Sequence, residues 1–163
     1  MSFRLIEPDD FSAYSELYTN ERTQQFIAPV LSNDQVKRRF TLMQSANTMQ
    51  NADKYYLTIA EQSCNQAIGS FAVFNINMLA ESCEIGVMMC KRAQARGFAR
   101  HAMTAILRHL QQLGFSKVFC MIHQQNLAAQ RLARLCQMRI HAEQEQCVRF
   151  VLDEVIRDWR MND

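Results

Sequence analysis

Four cations, Lys91, Arg92, Arg96 and Arg100, surround a lone Gly97 in the stretch KRAQARGFARHAMTAIL, where an apolar run gives way to a helical pattern. A helix N-terminus carries the positive end of the helix dipole and favours anions by about 0.3–1 kcal/mol each. Cations gathered there either point into water or attend an anion that the chain does not supply. Glycine in a turn just ahead of a helix permits backbone conformations closed to other residues, and successive N–H groups can then converge on one concavity. A phosphate or pyrophosphate fits such a place. Spacing alone does not separate that reading from a solvated basic face. Neither a G-x-x-x-x-G-K-[ST] loop nor a G-x-G-x-x-G fingerprint is present, so no nucleotide-fold signature accompanies the loop.

Just upstream, CEIGVMMC puts Glu84, Gly86 and Met88 on one face of a strand. Gly86 removes a side chain beside the carboxylate and makes room for a ligand. A carboxylate buried among apolar side chains holds its proton more tightly, which suits a general base near neutral pH. The competing reading leaves Glu84 facing solvent or paired with an arginine. Cys120 and His123 look like a nucleophile–base pair, but positions three apart on a strand face opposite sides of the sheet. The four histidines lack H-x-x-x-H and H-E-x-x-H spacing and the six cysteines lack C-x-x-C, so no metal site is expected. Four of the cysteines sit in apolar runs, and buried free thiols fit a reducing compartment better than disulfides do.

These residues need a scaffold. The chain has 163 residues, 48% hydrophobic and 21% charged, with a net charge of +2, which predicts a single domain over 1–163 and no general nucleic-acid coat. No apolar run reaches the ~18 residues of a membrane span, and MSFRLIEPDD lacks a secretory core, so a cytoplasmic location and no membrane partner are expected. FRLIE reads as a strand, and Pro8-Asp9-Asp10 as a turn with a helix N-cap. Phe11, Tyr14, Leu17 and Tyr18 mark a first helix. Ser32 and Gln35 stand in capping-box spacing ahead of a second, with Val36, Phe40 and Met43 inward. YYLTIAE and AIGSFAVF flank QSCNQ as a hairpin, and CEIGVMMC follows. A long helix spans Phe98 to Leu113, with Phe98, Ala102, Ile106, Leu110 and Leu113 at helical spacing and Gly114 as a left-handed cap. Gly69 reads as a bulge or close packing. KVFCMI is a strand, and Asn126 caps a helix with Ala128, Leu132, Leu135 and Cys136 inward. CVRFVLDEVI closes the sheet ahead of a tail containing Trp159. The order is β-α-α-β-β-β-α-β-α-β-β, a mixed α/β arrangement around one sheet.

QARGFA (Gln94 to Ala99) resembles the Q/R-x-x-G-x-G/A signature of the GCN5-related N-acetyltransferase (GNAT) superfamily. The succession CEIGVMM, loop, long helix, KVFCMI, NLAAQRLARL is similar to that superfamily's core. FRLIEPDDFSAYSELY and VRFVLDEVIRDW resemble its RimJ/RimL-type, ribosomal-protein N-acetyltransferase-like branch. The resemblance implies an α/β fold with a mostly antiparallel sheet flanked by helices, acetyl-CoA as cosubstrate, and direct transfer to a primary amine. It implies that Gln94, Ala95, Arg96, Gly97, Phe98, Ala99 and Arg100 hold the pyrophosphate. Met88, Met89 and Cys90 would run beside the pantetheine arm, and Asn126 would touch that arm. Glu84 is implied as the base, with His123 as second candidate and the Met88 amide as oxyanion donor. The pattern departs at Ala133, where many members carry a tyrosine that protonates the thiolate. It departs also at Ala129, a serine in some members, and at Gln137-Met138, which replaces Gly-Phe.

The expected function is acetylation of a protein or peptide N-terminal α-amine. A small-molecule amine acceptor and a non-catalytic CoA-binding module stay open, and a homodimer is admitted. Acidic Glu16, Glu21 and Glu81 could draw a cationic acceptor or be plain surface charge. RNA binding through the four cations is the contrasting class. It predicts affinity falling steeply with salt.

Overall fold

A computed structural model describes residues 1–46, 53–94 and 96–153. The elements are β1 (Ser2–Arg4), α1 (Phe11–Thr19), α2 (Glu21–Gln24), α3 (Asn33–Ala46), β2 (Tyr55–Ala60), β3 (Ala67–Asn77), β4 (Ser82–Met89), α4 (Phe98–Gln112), β5 (Lys117–His123), α5 (Leu127–Leu135), β6 (Arg139–Gln144) and β7 (Cys147–Leu152). The strands form one seven-stranded sheet in the order β1-β2-β3-β4-β5-β7-β6. It is antiparallel except where β4 meets β5. This is the mixed, mostly antiparallel α/β arrangement expected, with α2 as one added helical turn.

Period-two alternation along the strands divides the apolar residues between two cores. Phe71, Val73, Cys83, Ile85, Val118 and Cys120 pack in one cluster with Ala102, Ile106 and Leu107 of α4. Tyr14, Leu17, Tyr18, Val36, Phe40 and Met43 from α1 and α3 make the other, with Cys90. Ser32 and Gln35 form the expected reciprocal cap of α3: the Ser32 amide donates to Gln35 Oε1 at 2.8 Å and the Gln35 amide to Ser32 Oγ at 3.4 Å.

Several local expectations are corrected. β1 stops at Arg4 because Pro8 opens a 3-10 turn, and Leu5 is 58% exposed. α4 ends one residue early, so Leu113 is its exposed cap, and Met103 and Leu107 complete the buried stripe. On α5 the inward face is rotated: Gln130 and Ala133 are buried, and Ala128 and Leu135 are exposed. α5 closes on the Gln137 and Met138 amides, which donate to the Arg134 and Ala133 carbonyls, both at 3.0 Å. Gln137 takes the left-handed conformation, φ 64°, that glycine usually fills there, and the methionine after it is buried. Gly114, φ 94°, caps α4 as expected. Gly69 is required by close packing, since a Cβ there would lie 2.5 Å from the Met88 carbonyl oxygen. The last strand covers Cys147–Leu152; Glu154 to Ile156 and Trp159 fall outside the described residues.

Asp10 is no side-chain cap for α1. Its buried carboxylate accepts both Arg4 Nη atoms at 2.7 and 2.8 Å, the Glu7 amide at 2.9 Å and Thr58 Oγ1 at 2.8 Å. Burial pushes the Asp10 carboxyl up, but the hydrogen bonds from Arg4, the Glu7 amide and Thr58 outweigh it and hold the group below the usual carboxylate range. This clamp ties β1, the entry to α1 and β2 together.

Candidate active site

β4 and β5 pair in parallel at Ser82–Lys117, Cys83–Val118 and Glu84–Phe119, where their register ends. Past Glu84 the β4 amides that point toward β5 have no partner strand. A cavity of about 410 Å³ fills this seam. Glu84, Gly86, Met88 and His123 line it, as do Met103 of α4 and Asn126, Ala129 and Leu132 beyond the strands. The opening therefore passes between the two central strands, from the α1/α3 core to the start of α5. A Cβ on Gly86 would meet only Phe74, at 3.5 Å, so that glycine leaves open space.

Below the seam, Gly97 is the N-cap of α4 in the left-handed region, φ 77° and ψ −10°. No side chain caps this helix and no acidic residue stands in its first turn. The first amides of a helix have no partner within it, so a ready anion site remains. Gln94 Nε2 donates to the Met89 carbonyl at 3.1 Å and braces the loop. The Arg96 guanidinium lies 5.1 Å from the Phe98 ring centre. Phe98, Ala99 and Arg100 are half-buried in the first turn, and Ala95 falls outside the described residues. Of the four cations, Arg92 is a structural group: it donates to the Ala67 carbonyl at the head of β3. The Lys91 amide donates to Glu16 Oε1 at 2.7 Å, which commits that carboxylate to the fold.

Met88 lines the cavity, where Gln24 Nε2 approaches its sulfur at 3.5 Å. Met89 and Cys90 have buried side chains, so only their backbone can serve a ligand. Asn126 Oδ1 accepts the Ala129 amide at 3.1 Å, a helix cap made by a residue that also lines the cavity. Glu84 is half-buried, and Asn75 Nδ2 donates to its Oε2 at 2.7 Å. His123 Nδ1 accepts the Gln125 amide at 3.1 Å, and Phe26 stacks on the ring at 5.3 Å. The Gln125 amide thus occupies the Nδ1 lone pair, which leaves Nε2 as the ring nitrogen for a ligand.

Cys120 and His123 form no pair, as the strand geometry requires. Cys120 reaches Met138 Sδ at 3.9 Å, and burial pushes its thiol up to about 12. Burial likewise raises Cys83 to about 12 and Cys90 to about 11, so these free thiols stay protonated and unreactive. Ala133 is fully buried in the core, and Ala129 faces the cavity without a hydroxyl.

Sequence reasoning missed the far wall: Tyr18, Phe26, Arg39, Lys54 and Tyr56 also line the cavity. One signal was available. On β3 the small Ser70 and Ala72 alternate with Phe71 and Val73, and Ala72 pairs with Gly86, so small residues lie beside Glu84.

The sequence profile of the acetyltransferase (GNAT) domain family matches residues 1–139. No curated protein resembles the chain closely enough in sequence to count as a match. Among solved structures, spermidine N-acetyltransferase from Vibrio cholerae, in complex with CoA and spermine, is similar with a TM-score of 0.79 at 17% identity. It covers 93% of this chain and 94% of its own. RimL, the ribosomal L7/L12 alpha-N-protein acetyltransferase, in complex with coenzyme A, also scores 0.79, at 13% identity over 95% and 94%. A GNAT-family acetyltransferase from Bacillus anthracis scores 0.74, at 15% identity over 91% and 90%.

Proposed function

The chain belongs to the GNAT acetyltransferase family, and from that premise we propose that residues 1–163 work as one domain that acetylates a protein or peptide N-terminal α-amine, in the manner of the RimJ/RimL-type branch. The observation that carries the reading is the seam. The strand that edges the cavity beside Glu84 leads, past its unpaired end, into the loop ahead of an uncapped helix mouth.

The residues present fit acetyl-CoA. The Gln94 and Arg100 amides are committed to the Lys91 and Gly97 carbonyls at 3.2 and 3.1 Å. The amides between them, Arg96 to Ala99, therefore hold the diphosphate, with charge from Arg96 and Arg100, and the backbone of Met88 to Cys90 lies beside the pantetheine arm. Asn126 meets that arm from α5. Bound there, acetyl-CoA supplies an activated thioester. Glu84, its Oε2 steadied by Asn75, takes the proton released as the amine attacks, directly or through a water. The register turns the Met88 amide toward Ser70 of β3. The unpaired β4 amide that donates to the developing oxyanion is therefore that of Val87 or Met89. As the oxyanion collapses, the CoA thiolate leaves and takes its proton from water. Holding both reactants in one crevice supplies much of the rate. His123, on the wall of the same cavity, is the second candidate to receive the amine's proton.

Thiol release from acetyl-CoA with a panel of peptides and small amines tests this. Glu84→Gln should lower kcat by about 100-fold or more, leave acetyl-CoA affinity unchanged and flatten the acid limb of the pH profile. A near-normal profile would return the proton to His123 or water. Tight acetyl-CoA binding with no turnover on any amine would make the protein a CoA-binding module instead.

A further inference from the structure

The far wall of the cavity carries two cations that the transfer chemistry leaves unused. Arg39 of α3 and Lys54, just ahead of β2, both line it. The Arg39 guanidinium carbon lies 4.8 Å from the Tyr18 ring centre and is thereby held toward the cavity wall. Neither cation is ion-paired to a described carboxylate; the ion pairs recorded belong to Arg4.

The register places Lys54 relative to Glu84. Tyr55 pairs with Val73 and Phe74 with Glu84, so Lys54 continues the row that runs through Phe74 to Glu84. Strands lie about 4.8 Å apart, and two steps separate the Lys54 and Glu84 backbones by roughly 10 Å. Phe74 stands between the two ends in that row, and Ser70, Ala72 and Gly86 make a low floor beside it. Among the described residues that line the cavity, Glu84 is the sole acid. The cavity thus has a negative end where the strands part and a positive end under α3.

We propose, resting on the transfer reading above, that the acceptor is a primary amine that also bears a carboxylate a few bonds away. Its nitrogen sits at Glu84 and its carboxylate faces Arg39 and Lys54. Such a molecule matches both ends of the cavity. A polyamine sets a second cation against two like charges, which electrostatic complementarity penalises. An acidic side chain early in a peptide and a free acidic amino acid share this chemistry.

Four acceptors separate the sources: a five-residue peptide amide with acids at its second and third positions, its Asn/Gln isostere, free glutamate, and spermidine. The acidic peptide or glutamate should exceed the isostere in kcat/KM by about tenfold or more, and the margin should shrink as salt screens it. Preference for the peptide over glutamate, or the reverse, names the source. Lys54→Met should abolish the margin without changing the KM for acetyl-CoA, and Lys54→Glu should raise turnover of spermidine. Equal use of acidic peptide and isostere, or a wild-type preference for spermidine, overturns the proposal. If no amine is turned over, the transfer reading falls. Calorimetry of the acidic peptide against its isostere, on CoA-loaded protein, then still decides the charge preference.

Discussion

Two places in this molecule gather positive charge, and they are completed differently. At Arg4 the chain supplies its own anion: Asp10 is buried, takes both guanidinium nitrogens and also accepts the Glu7 amide and Thr58. At the mouth of α4 the amides and basic residues are laid out, and no side chain or first-turn acid completes them. A site closed from within contributes stability; a site left open contributes affinity for something else. Asn126 stands between the two, since it caps α5 and lines the cavity at once.

Breaking the closed site should have the largest effect. Asp10→Asn leaves Arg4 with only the exposed Glu7 carboxylate at 3.4 Å, and removing the buried partner costs about 3 kcal/mol, read by urea unfolding at neutral pH. The pH dependence has a definite sign. The folded-state carboxyl of Asp10 is held below its ordinary value. Its contribution is therefore fully present above the unfolded carboxyl pKa of about 4 and is lost as pH falls through the folded value. The variant should lose less stability than the wild type between neutral pH and acid. An unchanged acid limb would remove Asp10 from the account.

Supplying the missing anion at the open site comes next. Gly97→Asp puts a carboxylate and a strained left-handed residue at the α4 mouth, where the nearest side-chain atom to a new Cβ is 3.8 Å away. Space is therefore no obstacle to folding. Acetyl-CoA affinity should fall by about 100-fold or more as the charge repels the diphosphate, while the left-handed backbone costs about 1 kcal/mol of stability. Wild-type affinity would take the loop out of the site. Asn126→Ala should cost about 1 kcal/mol of stability through the lost cap, and ADP, a probe for the diphosphate site alone, should bind as before. The smallest change is at the other end of α5. Gln137→Gly relieves a left-handed glutamine and should stabilise by about 0.5–1 kcal/mol.

The contrast also explains what could be read in the sequence. Gly97 ahead of a helical run, Ser32 with Gln35, and Asn126 before α5 are local signals, because a cap or turn is decided by residues within one turn of it. The α4 stripe was legible for the same reason, except at Leu113, where the helix end decides burial. Asp10 misled because a carboxylate after proline looks like a cap; its actual partners, Arg4 and Thr58, lie on two strands that only the folded sheet brings together. Arg92 was read with the phosphate loop, but the carbonyl that claims it belongs to Ala67. Arg39 and Lys54 were invisible at the sequence level, since neither sits in a motif and both reach the cavity through tertiary packing. The inward face of α5 was misjudged because Gln130, a polar residue, turns inward to bond the carbonyl groups of His123 and Gln124.

Among the described residues only three pairs join the two wings of the sheet, β1 to β4 on one side and β5, β7 and β6 on the other. Whatever occupies the crevice supplies the missing rungs and behaves as a surrogate strand. Mechanical continuity of the sheet then varies with occupancy, and deuterium uptake at Val87 and Met89 should be fast in the empty protein and slow once acetyl-CoA is loaded.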